Sequence, residues 1–222
     1  MPRGDRGTLP RDATDFEKRG TPMRFAILGA GNVGGGLGTA LARVGHDVVF
    51  GVRDPGSPKA KAALATAPGA TAAVPTDAVA HADAVIFALR WDAVAPTVAQ
   101  LPALDGRIVI DAMNRLSGDP ARSTAQDLAG LLPGARIVKA FNTIGFENLT
   151  TARERHTRAA MFVASDDADA KAAVMALAGE IGFEAEDAGP LTNAKALEEM
   201  VKVWLALTKR YGRGVGFAIS KD

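Results

Sequence analysis

A continuous apolar stretch that runs directly into a glycine-rich turn is the feature that most constrains the fold of this chain. Residues 25–28 read Phe-Ala-Ile-Leu, and residues 29–34 read Gly-Ala-Gly-Asn-Val-Gly. An unbroken apolar run is typical of a parallel strand that is covered on both faces. Glycines at these spacings permit a tight turn, close approach of a pyrophosphate to the backbone, and close packing of the next helix. Because a strand precedes the turn and helical spacing follows it, the stretch predicts a dinucleotide-binding unit.

Apolar strands and helical patterns alternate along most of the chain. Strands are predicted over 24–28, 47–50, 70–74, 84–89, 107–111 and 136–141. This alternation predicts a Rossmann-type, doubly wound α/β fold with a mostly parallel sheet. Two extra C-terminal strands are predicted over 160–164 and 184–188, and a long amphipathic C-terminal helix over 192–211. Residues 145–158 interrupt the alternation, and we expect them to form a charge-dense, solvated loop.

Length and composition favour one folded domain. The chain has 222 residues, of which 47% are hydrophobic and 23% charged, as is usual for a globular protein. Residues 22–222 are predicted to form a single Rossmann-type domain. Residues 1–21 carry five basic and four acidic side chains and few apolar ones, which predicts a disordered or loosely docked extension. Met23, directly before the first strand, is a candidate biological start.

Charge and residue usage exclude several classes of function. A net charge of +1 argues against nucleic acid or an anionic membrane surface as a partner. The absence of cysteine excludes disulfides and thiolate catalysis, and no two of the three histidines have metal-ligand spacing, so no metal site is predicted. No apolar run reaches the roughly 18 residues of a membrane helix, and the N-terminus lacks the apolar region of a signal peptide. We therefore expect a cytoplasmic protein.

The residues after the second strand indicate which dinucleotide is bound. In NAD-binding folds an acidic residue at this place accepts hydrogen bonds from the ribose hydroxyls. Here Gly51 and Val52 are followed by Arg53, whose planar cation suits a 2′-phosphate, and this predicts NADP. Lys59 is either a second cation of this site or a solvated lysine at the start of a helix. Asp54 is either a rival ribose partner or the first residue of an Asp-Pro-Gly turn.

The ends of the fourth, fifth and sixth strands should border the crevice that holds the nicotinamide ring. Trp91 there is either a platform for a ring or a packing residue. Asp111 is either a proton donor or an acceptor within a turn. The other candidates at these three strand ends are Ala88, Leu89, Arg90, Ala112, Asn114, Ala140, Asn142 and Thr143.

No residue is predicted to act as a catalytic acid or nucleophile. Tyr211 is the only tyrosine, and Val215 stands four residues after it, so a Tyr-x-x-x-Lys proton relay is excluded. No histidine is paired in sequence with a carboxylate as in dehydrogenases. These absences favour hydride transfer to an acceptor that needs no strong acid from the enzyme.

Taken together, these residues resemble the NADPH:coenzyme F420 oxidoreductases and their bacterial relatives. The resemblance covers residues 23–219 and includes the glycine turn, Trp91 and the glycine-rich end from Gly212. It also rests on Gly45-His46-Asp47-Val48-Val49 before Gly51-x-Arg53, and on Asp187-Ala188-Gly189-Pro190-Leu191-x-Asn193. A homodimer is expected from the resemblance and from the long C-terminal helix.

The resemblance implies NADP on the glycine turn and coenzyme F420 as the small-molecule hydride acceptor, stacked over the nicotinamide. NADP contacts are implied at Ala30, Gly31, Asn32, Val33, Val52, Arg53, Leu89 and Ala140, beside Gly29 and Gly34 of the turn. A pocket for the second ring is implied near Asn142, Thr143, Pro190, Leu191 and Asn193.

Three residues depart from the pattern of the deazaflavin enzymes. Val52 stands where those enzymes have serine, Arg90 where they have proline, and Asn142 where they have histidine. The segment Lys139-Ala140-Phe141-Asn142-Thr143 instead resembles relatives without an assigned acceptor and the NADPH-binding domain of membrane ferric reductases. The alternatives are therefore an NADPH-dependent reductase of a flavin, ferric chelate, quinone or imine, and a non-enzymatic NADP sensor.

Overall fold

A six-stranded parallel sheet forms the centre of the computed structural model, which describes residues 22–115 and 121–220. The predicted extension over 1–21 lies outside the described residues. The sheet and a separate strand pair comprise β1 (Arg24–Leu28), β2 (Asp47–Gly51), β3 (Thr71–Ala73), β4 (Ala84–Phe87), β5 (Ile108–Asp111), β6 (Arg136–Lys139), β7 (Ala160–Val163) and β8 (Glu184–Asp187).

The strand order confirms the predicted doubly wound topology. The large sheet has the order β3-β2-β1-β4-β5-β6, and all its pairings are parallel. The chain runs outward from β1 in one direction and from β4 in the other. The carboxyl ends of these two strands therefore border a crevice at the point where the order reverses, which is where such folds bind ligands.

Helices cover both faces of the sheet. They are α1 (Asn32–Arg43), α2 (Pro58–Thr66), α3 (Pro75–Ala80), α4 (Val94–Val98), α5 (Thr124–Leu131), α6 (Phe146–Leu149), α7 (Ala168–Glu180) and α8 (Ala194–Tyr211). Strand β1 shows why its apolar run is unbroken. Phe25 and Ile27 belong to one hydrophobic cluster, whereas Ala26 and Leu28 belong to another, and all four are fully buried.

Two strands end two residues earlier than predicted, and both do so at the crevice. The strands predicted over 84–89 and 136–141 end at Phe87 and Lys139. Phe141 has a φ of +61°, a left-handed conformation that is unusual for a bulky residue and turns the chain out of the ladder. The residues expected to contact a ring therefore lie in turns that follow the strands.

The two C-terminal strands do not extend the parallel sheet. Strands β7 and β8 pair with each other in parallel, and β7 joins β6 through one antiparallel bridge between Lys139 and Ala164. This bridge reverses the direction of the pair relative to β6. The carboxyl ends of β7 and β8 consequently lie toward the amino-terminal end of β6, where the Ser165 hydroxyl donates to Ile137 O at 2.6 Å.

The prediction of a solvated loop at 145–158 is wrong for part of this segment. It contains α6 and a 3-10 turn, and Asn148, Leu149 and Ala152 are buried. Leu149 packs closely against α1, since a Cβ added at Gly36 of that helix would lie 3.1 Å from Leu149 Cδ1. The charged residues Arg153 and Glu154 are exposed, as expected. The sequence pattern did not predict their burial, because the buried residues are few and are interspersed with polar ones.

Candidate dinucleotide site

The three glycines of the turn after β1 have three different structural roles. Gly29 has a φ of +106°, and a Cβ there would lie 2.6 Å from Ala88 O. A Cβ at Gly34 would lie 2.0 Å from Gly29 O, so α1 packs too closely on the turn for any side chain. A Cβ at Gly31 meets no atom of the described residues within 4 Å. Gly31 therefore leaves free the space that a pyrophosphate needs to approach the backbone.

The amino terminus of α1 is suited to bind an anion. Gly31 is its N-cap, so no side chain occupies that position, and its first turn carries no acidic residue. Gly31 and Asn32 are exposed, and Val33 is partly so. The unpaired N–H groups of this turn and the positive end of the helix dipole therefore face outward, as phosphate binding requires.

Arg53 lies just past the end of β2, exposed, and makes no hydrogen bond or ion pair with any other part of the chain that the structure describes. Lys59, in the first turn of α2, is likewise exposed and without a described partner. Among the described residues, two cations without a partner thus follow β2, the strand that pairs with β1. An exposed guanidinium with no carboxylate partner retains its donors for a phosphate.

Asp54 is a turn residue. Its Oδ1 accepts the Gly56 N–H at 2.9 Å, and its carbonyl accepts the Ser57 N–H at 3.1 Å. Ser57 then caps α2 by accepting the Ala60 N–H. The carboxylate is therefore used within the Asp-Pro-Gly turn, as the sequence favoured.

The glycine at the end of β2 has a packing reason. Gly51 is buried, and a Cβ there would lie 2.6 Å from Leu28 Cδ2 of the neighbouring strand. Its carbonyl accepts the Gly29 N–H at 3.0 Å. Gly51 thus fixes the turn against β2, and the first exposed side chain after the strand is that of Arg53.

Alanines continue the hydrogen-bond ladder by one residue past β4, β5 and β6. Ala88 N–H donates to Leu28 O, Ala112 N–H to Phe87 O, and Ala140 N–H to Asp111 O. The structure therefore brings Ala88, Ala112 and Ala140 to the same edge as the glycine turn. Their small side chains leave room for a flat ring, and Leu89 follows at the same edge, partly buried.

Two neighbouring candidates have partners of their own. Arg90 is exposed and pairs with the exposed Asp92, with Nη2 and Oδ2 3.0 Å apart. The guanidinium of Arg115 lies 4.2 Å from the centre of the Trp91 ring and also pairs with Asp127. One face of Trp91 is therefore covered by a cation, which favours the packing interpretation over a ring platform.

Asn114 and Asn142 form a reciprocal pair between the ends of β5 and β6. Asn114 Nδ2 donates to Asn142 O, and Asn142 Nδ2 donates to Asn114 Oδ1, both at 3.0 Å. Asn142 Nδ2 also donates to Leu197 O on α8 at 3.0 Å. Leu197 therefore connects the C-terminal helix to this edge. Asn142 and the buried Thr143 follow β6 there, and their role in a ring pocket stays a prediction.

Pro190, Leu191 and Asn193 lie elsewhere. Because β7 runs antiparallel to β6, the loop after β8 reaches the amino-terminal half of β6, where Ser165 N–H donates to Gly189 O. Leu191 is buried in the core, and Asn193 Nδ2 donates to Ala188 O at 2.7 Å. The expected pocket formed by these residues and Asn142 is therefore corrected: the loop secures the start of α8.

A buried charge cluster beneath the crevice escaped the sequence interpretation. Lys139 Nζ lies 3.0 Å from Asp111 Oδ2, 2.9 Å from Glu198 Oε1 and 2.9 Å from Thr124 Oγ1. Asp111 Oδ1 also accepts the Met113 N–H at 2.9 Å. Asp111 is thus an ion-pair partner and turn acceptor, buried at 0% exposure. The sequence did contain one sign of this cluster, namely a lysine at the end of an apolar strand, because a buried ammonium requires charged or polar partners.

Comparison with known proteins relates the first half of the chain to a described family. Residues 24–115 match the family described as NADP oxidoreductase, coenzyme F420-dependent. The match covers 92 of the 222 residues. The match begins with β1 and includes the glycine turn, Arg53 and Asn114, so the predicted resemblance to this family is confirmed, as is the Rossmann-type fold.

Proteins similar to this chain include some that are named as reductases. The chain is 29% identical over 178 residues to metalloreductase STEAP3 of Rattus norvegicus, covering 79% of this chain and 36% of the relative. The chain thus spans little more than a third of the curated relatives it matches. A protein of Arthrobacter sp. FB24 to which F420-dependent NADP reductase activity has been attributed is 28% identical to this chain. Its crystal structure matches this fold with a TM-score of 0.81. That match covers 90% of this chain and all of the other.

A more distant structure shares the fold alone. A reductive aminase from Aspergillus terreus, solved with NADPH and ethyl-5-oxohexanoate, has 22% identity and a TM-score of 0.61, over 85% of this chain and 62% of the other. Within the described residues, no helix has the length and apolarity to cross a membrane. Nor does any group of three or more acidic or histidine side chains there have a metal-binding arrangement.

Proposed function

We propose that this protein transfers a hydride between NADP(H) and a flat redox acceptor, and that coenzyme F420 is the acceptor. The observation that carries the proposal is Arg53, an exposed guanidinium without a described partner at the place where a Rossmann fold meets the adenosine ribose. The family description and the similarity to the Arthrobacter structure support F420.

The residues present fit NADP. The first turn of α1 and Gly31 would hold the pyrophosphate, and Arg53 with Lys59 would hold the 2′-phosphate. Ala88, Ala112 and Ala140 would border the nicotinamide. NADPH, when bound, supplies a hydride from C4 of its nicotinamide ring.

The protein's contribution to catalysis is placement. The described edge offers small side chains and a fixed amide pair, Asn114 and Asn142, in a largely buried setting. These groups orient rings and exclude water, and holding two reactants in the reactive geometry can itself lower the barrier substantially. No general acid is needed from the chain in this proposal.

Association of two copies in the cytoplasm is part of the proposal. Val203 and Tyr211 on α8 are 55% and 61% exposed, and Leu205 is 37% exposed. Val203 and Tyr211, eight residues apart, lie toward the same side of the helix and support a homodimer, since an exposed apolar face often marks an interface.

The second candidate is a reductase of ferric chelates. It is favoured by the similarity to metalloreductase STEAP3 and by Asn142 in place of the histidine of the deazaflavin enzymes. The two candidates share the NADP half of the site and differ in the acceptor.

Steady-state oxidation of NADPH, followed at 340 nm, tests the proposal. Oxidised F420, free FMN and ferric citrate would be compared side by side at equal concentrations. We expect turnover with F420. Turnover with ferric citrate alone would establish the second candidate, and tight NADPH binding without any turnover would indicate the non-enzymatic sensor.

A further inference from the structure

The side-chain amide of Asn142 is held in one orientation. Its Nδ2 donates to Leu197 O and to Asn114 Oδ1, both at 3.0 Å. Asn114 is itself oriented, because its Nδ2 donates to the Asn142 carbonyl. A flipped Asn142 amide would place Oδ1 against the Leu197 carbonyl, which can only accept. The network therefore distinguishes the oxygen of Asn142 from its nitrogen.

Leu197 is also fixed in place. Its neighbour Glu198 accepts the Thr124 N–H at 2.8 Å and lies 2.9 Å from Lys139 Nζ, within the buried cluster. The carbonyl that orients Asn142 thus belongs to a turn of α8 that is bonded to β6 and α5. The position of Asn142 Oδ1 is consequently set before any ligand binds.

Oδ1 of Asn142 has no hydrogen-bond donor among the described residues. Oγ1 of the adjacent Thr143 has no partner there either. Asn142 is 4% and Thr143 2% exposed, and buried polar atoms are nearly always paired. Two neighbouring unpaired oxygens follow β6 at the edge where this fold binds its ring, which points to a ligand that donates hydrogen bonds.

We infer that Asn142 Oδ1 accepts a hydrogen bond from an N–H group of a ring bound at the ends of β5 and β6. This inference rests on the proposed function and specifies the chemistry of its ligands. Two sources carry such a group: the carboxamide of the nicotinamide, and the imide of a flavin or deazaflavin acceptor. Ferric chelates and quinones lack it, so an acceptor that supplies the donor belongs to the pyrimidinedione class.

Two pairs of ligands separate these sources. NADPH is compared with its 3-acetylpyridine analogue, which has no carboxamide N–H, and riboflavin with N3-methylriboflavin, which has no imide N–H. Dissociation constants are measured by fluorescence titration for the wild type, Asn142→Leu and Thr143→Val. Gln100→Leu, which removes an exposed amide outside the site, is the matched control.

We expect the wild type and Gln100→Leu to bind the N–H form of one pair roughly tenfold more tightly, because an unpaired buried acceptor is costly. Asn142→Leu should bind both members of that pair equally. The ligand pair whose discrimination is lost in Asn142→Leu identifies the source of the N–H group. Thr143→Val, which leaves the Asn142 amide in place, should retain the discrimination.

Equal affinities within each pair for the wild type would overturn the inference, and this comparison needs no variant to fold. Discrimination that survives in Asn142→Leu would overturn it as well. If flavins do not bind, the NADPH pair alone decides. Failure of the wild type to bind NADPH would instead refute the proposed function, so the two failures are distinguishable.

Discussion

Lys139 on β6 and Glu198 on α8 form an ion pair of 2.9 Å that is almost completely shielded from solvent. The pair joins the last strand of the parallel sheet to the C-terminal helix, directly below the turn that carries Asn142. Asp111 shares the same ammonium at 3.0 Å. The cluster thus connects β5, β6 and α8 at the level of the crevice.

Removing the ammonium should destabilise the fold strongly. Lys139→Met leaves Asp111 and Glu198 buried without their cation, and we expect the free energy of unfolding to fall by about 3 kcal/mol or more. Urea denaturation measures it. Lys202→Met, which breaks the exposed pair of Lys202 with Glu199, is the control and should change stability by less than about 1 kcal/mol. Similar losses for both variants would contradict the structural importance of the cluster.

Arg53 should determine the preference for NADPH. In Arg53→Ala the 2′-phosphate loses a charged hydrogen-bond partner, so we expect KM for NADPH to rise roughly 10- to 100-fold while that for NADH changes little. Steady-state rates with both cofactors measure this, and Arg122→Ala, which removes an exposed arginine paired with Asp127, serves as control. An unchanged ratio of the two constants would refute the assignment.

Two glycines of the same turn should respond differently to alanine. A Cβ at Gly31 meets no described atom within 4 Å, so Gly31→Ala should fold normally and lose NADPH affinity through contact with the pyrophosphate. A Cβ at Gly34 would lie 2.0 Å from Gly29 O, so Gly34→Ala should lower Tm substantially. Thermal unfolding and NADPH titration on both variants separate the effects. Gly31→Ala with wild-type affinity would argue against a pyrophosphate at this turn.

The pair of Arg136 with Asp167 should make part of the stability dependent on pH. Hydrogen bonds from the Arg136 guanidinium, at 2.7 Å to each carboxylate oxygen, hold the pKa of Asp167 at about 2, below its usual 3.8. Because the pKa is lowered on folding, the carboxylate stabilises the protein above about pH 4 and loses this effect as the pH falls toward 2.

Asp167→Asn tests this pH dependence, since asparagine can still cap α7. We expect a loss of about 1 kcal/mol at pH 7, a figure reduced for solvent screening because the carboxylate is a third exposed. Urea denaturation at pH 7, 4 and 3 should show the difference from the wild type shrinking with acid. A constant difference would mean that the charge of Asp167 does not contribute.

Local patterns in the sequence accounted for the cofactor half of the protein. The apolar run before Gly29, the spacing of the three glycines and the alternation of strands and helices each encode a short-range preference. Arg53 follows the second strand by two residues, so its exposed place just past the end of β2 could be predicted without knowing any distant contact. The shape of the dinucleotide-binding unit is therefore largely a property of consecutive residues.

The acceptor half depended on contacts between residues far apart in the chain. Lys139 and Glu198 are separated by 59 positions, and Asn142 and Leu197 by 55. No periodicity in the sequence predicts either contact. The antiparallel join of β7 to β6 likewise moved Pro190 and Leu191 away from the edge where their sequence pattern suggested a pocket. The sequence by itself thus determined the NADP-binding unit, whose geometry follows from local backbone and side-chain preferences. Only the tertiary structure decided which side chains contact the residues that follow β5 and β6, because that depends on how β7 and α8 dock on the sheet.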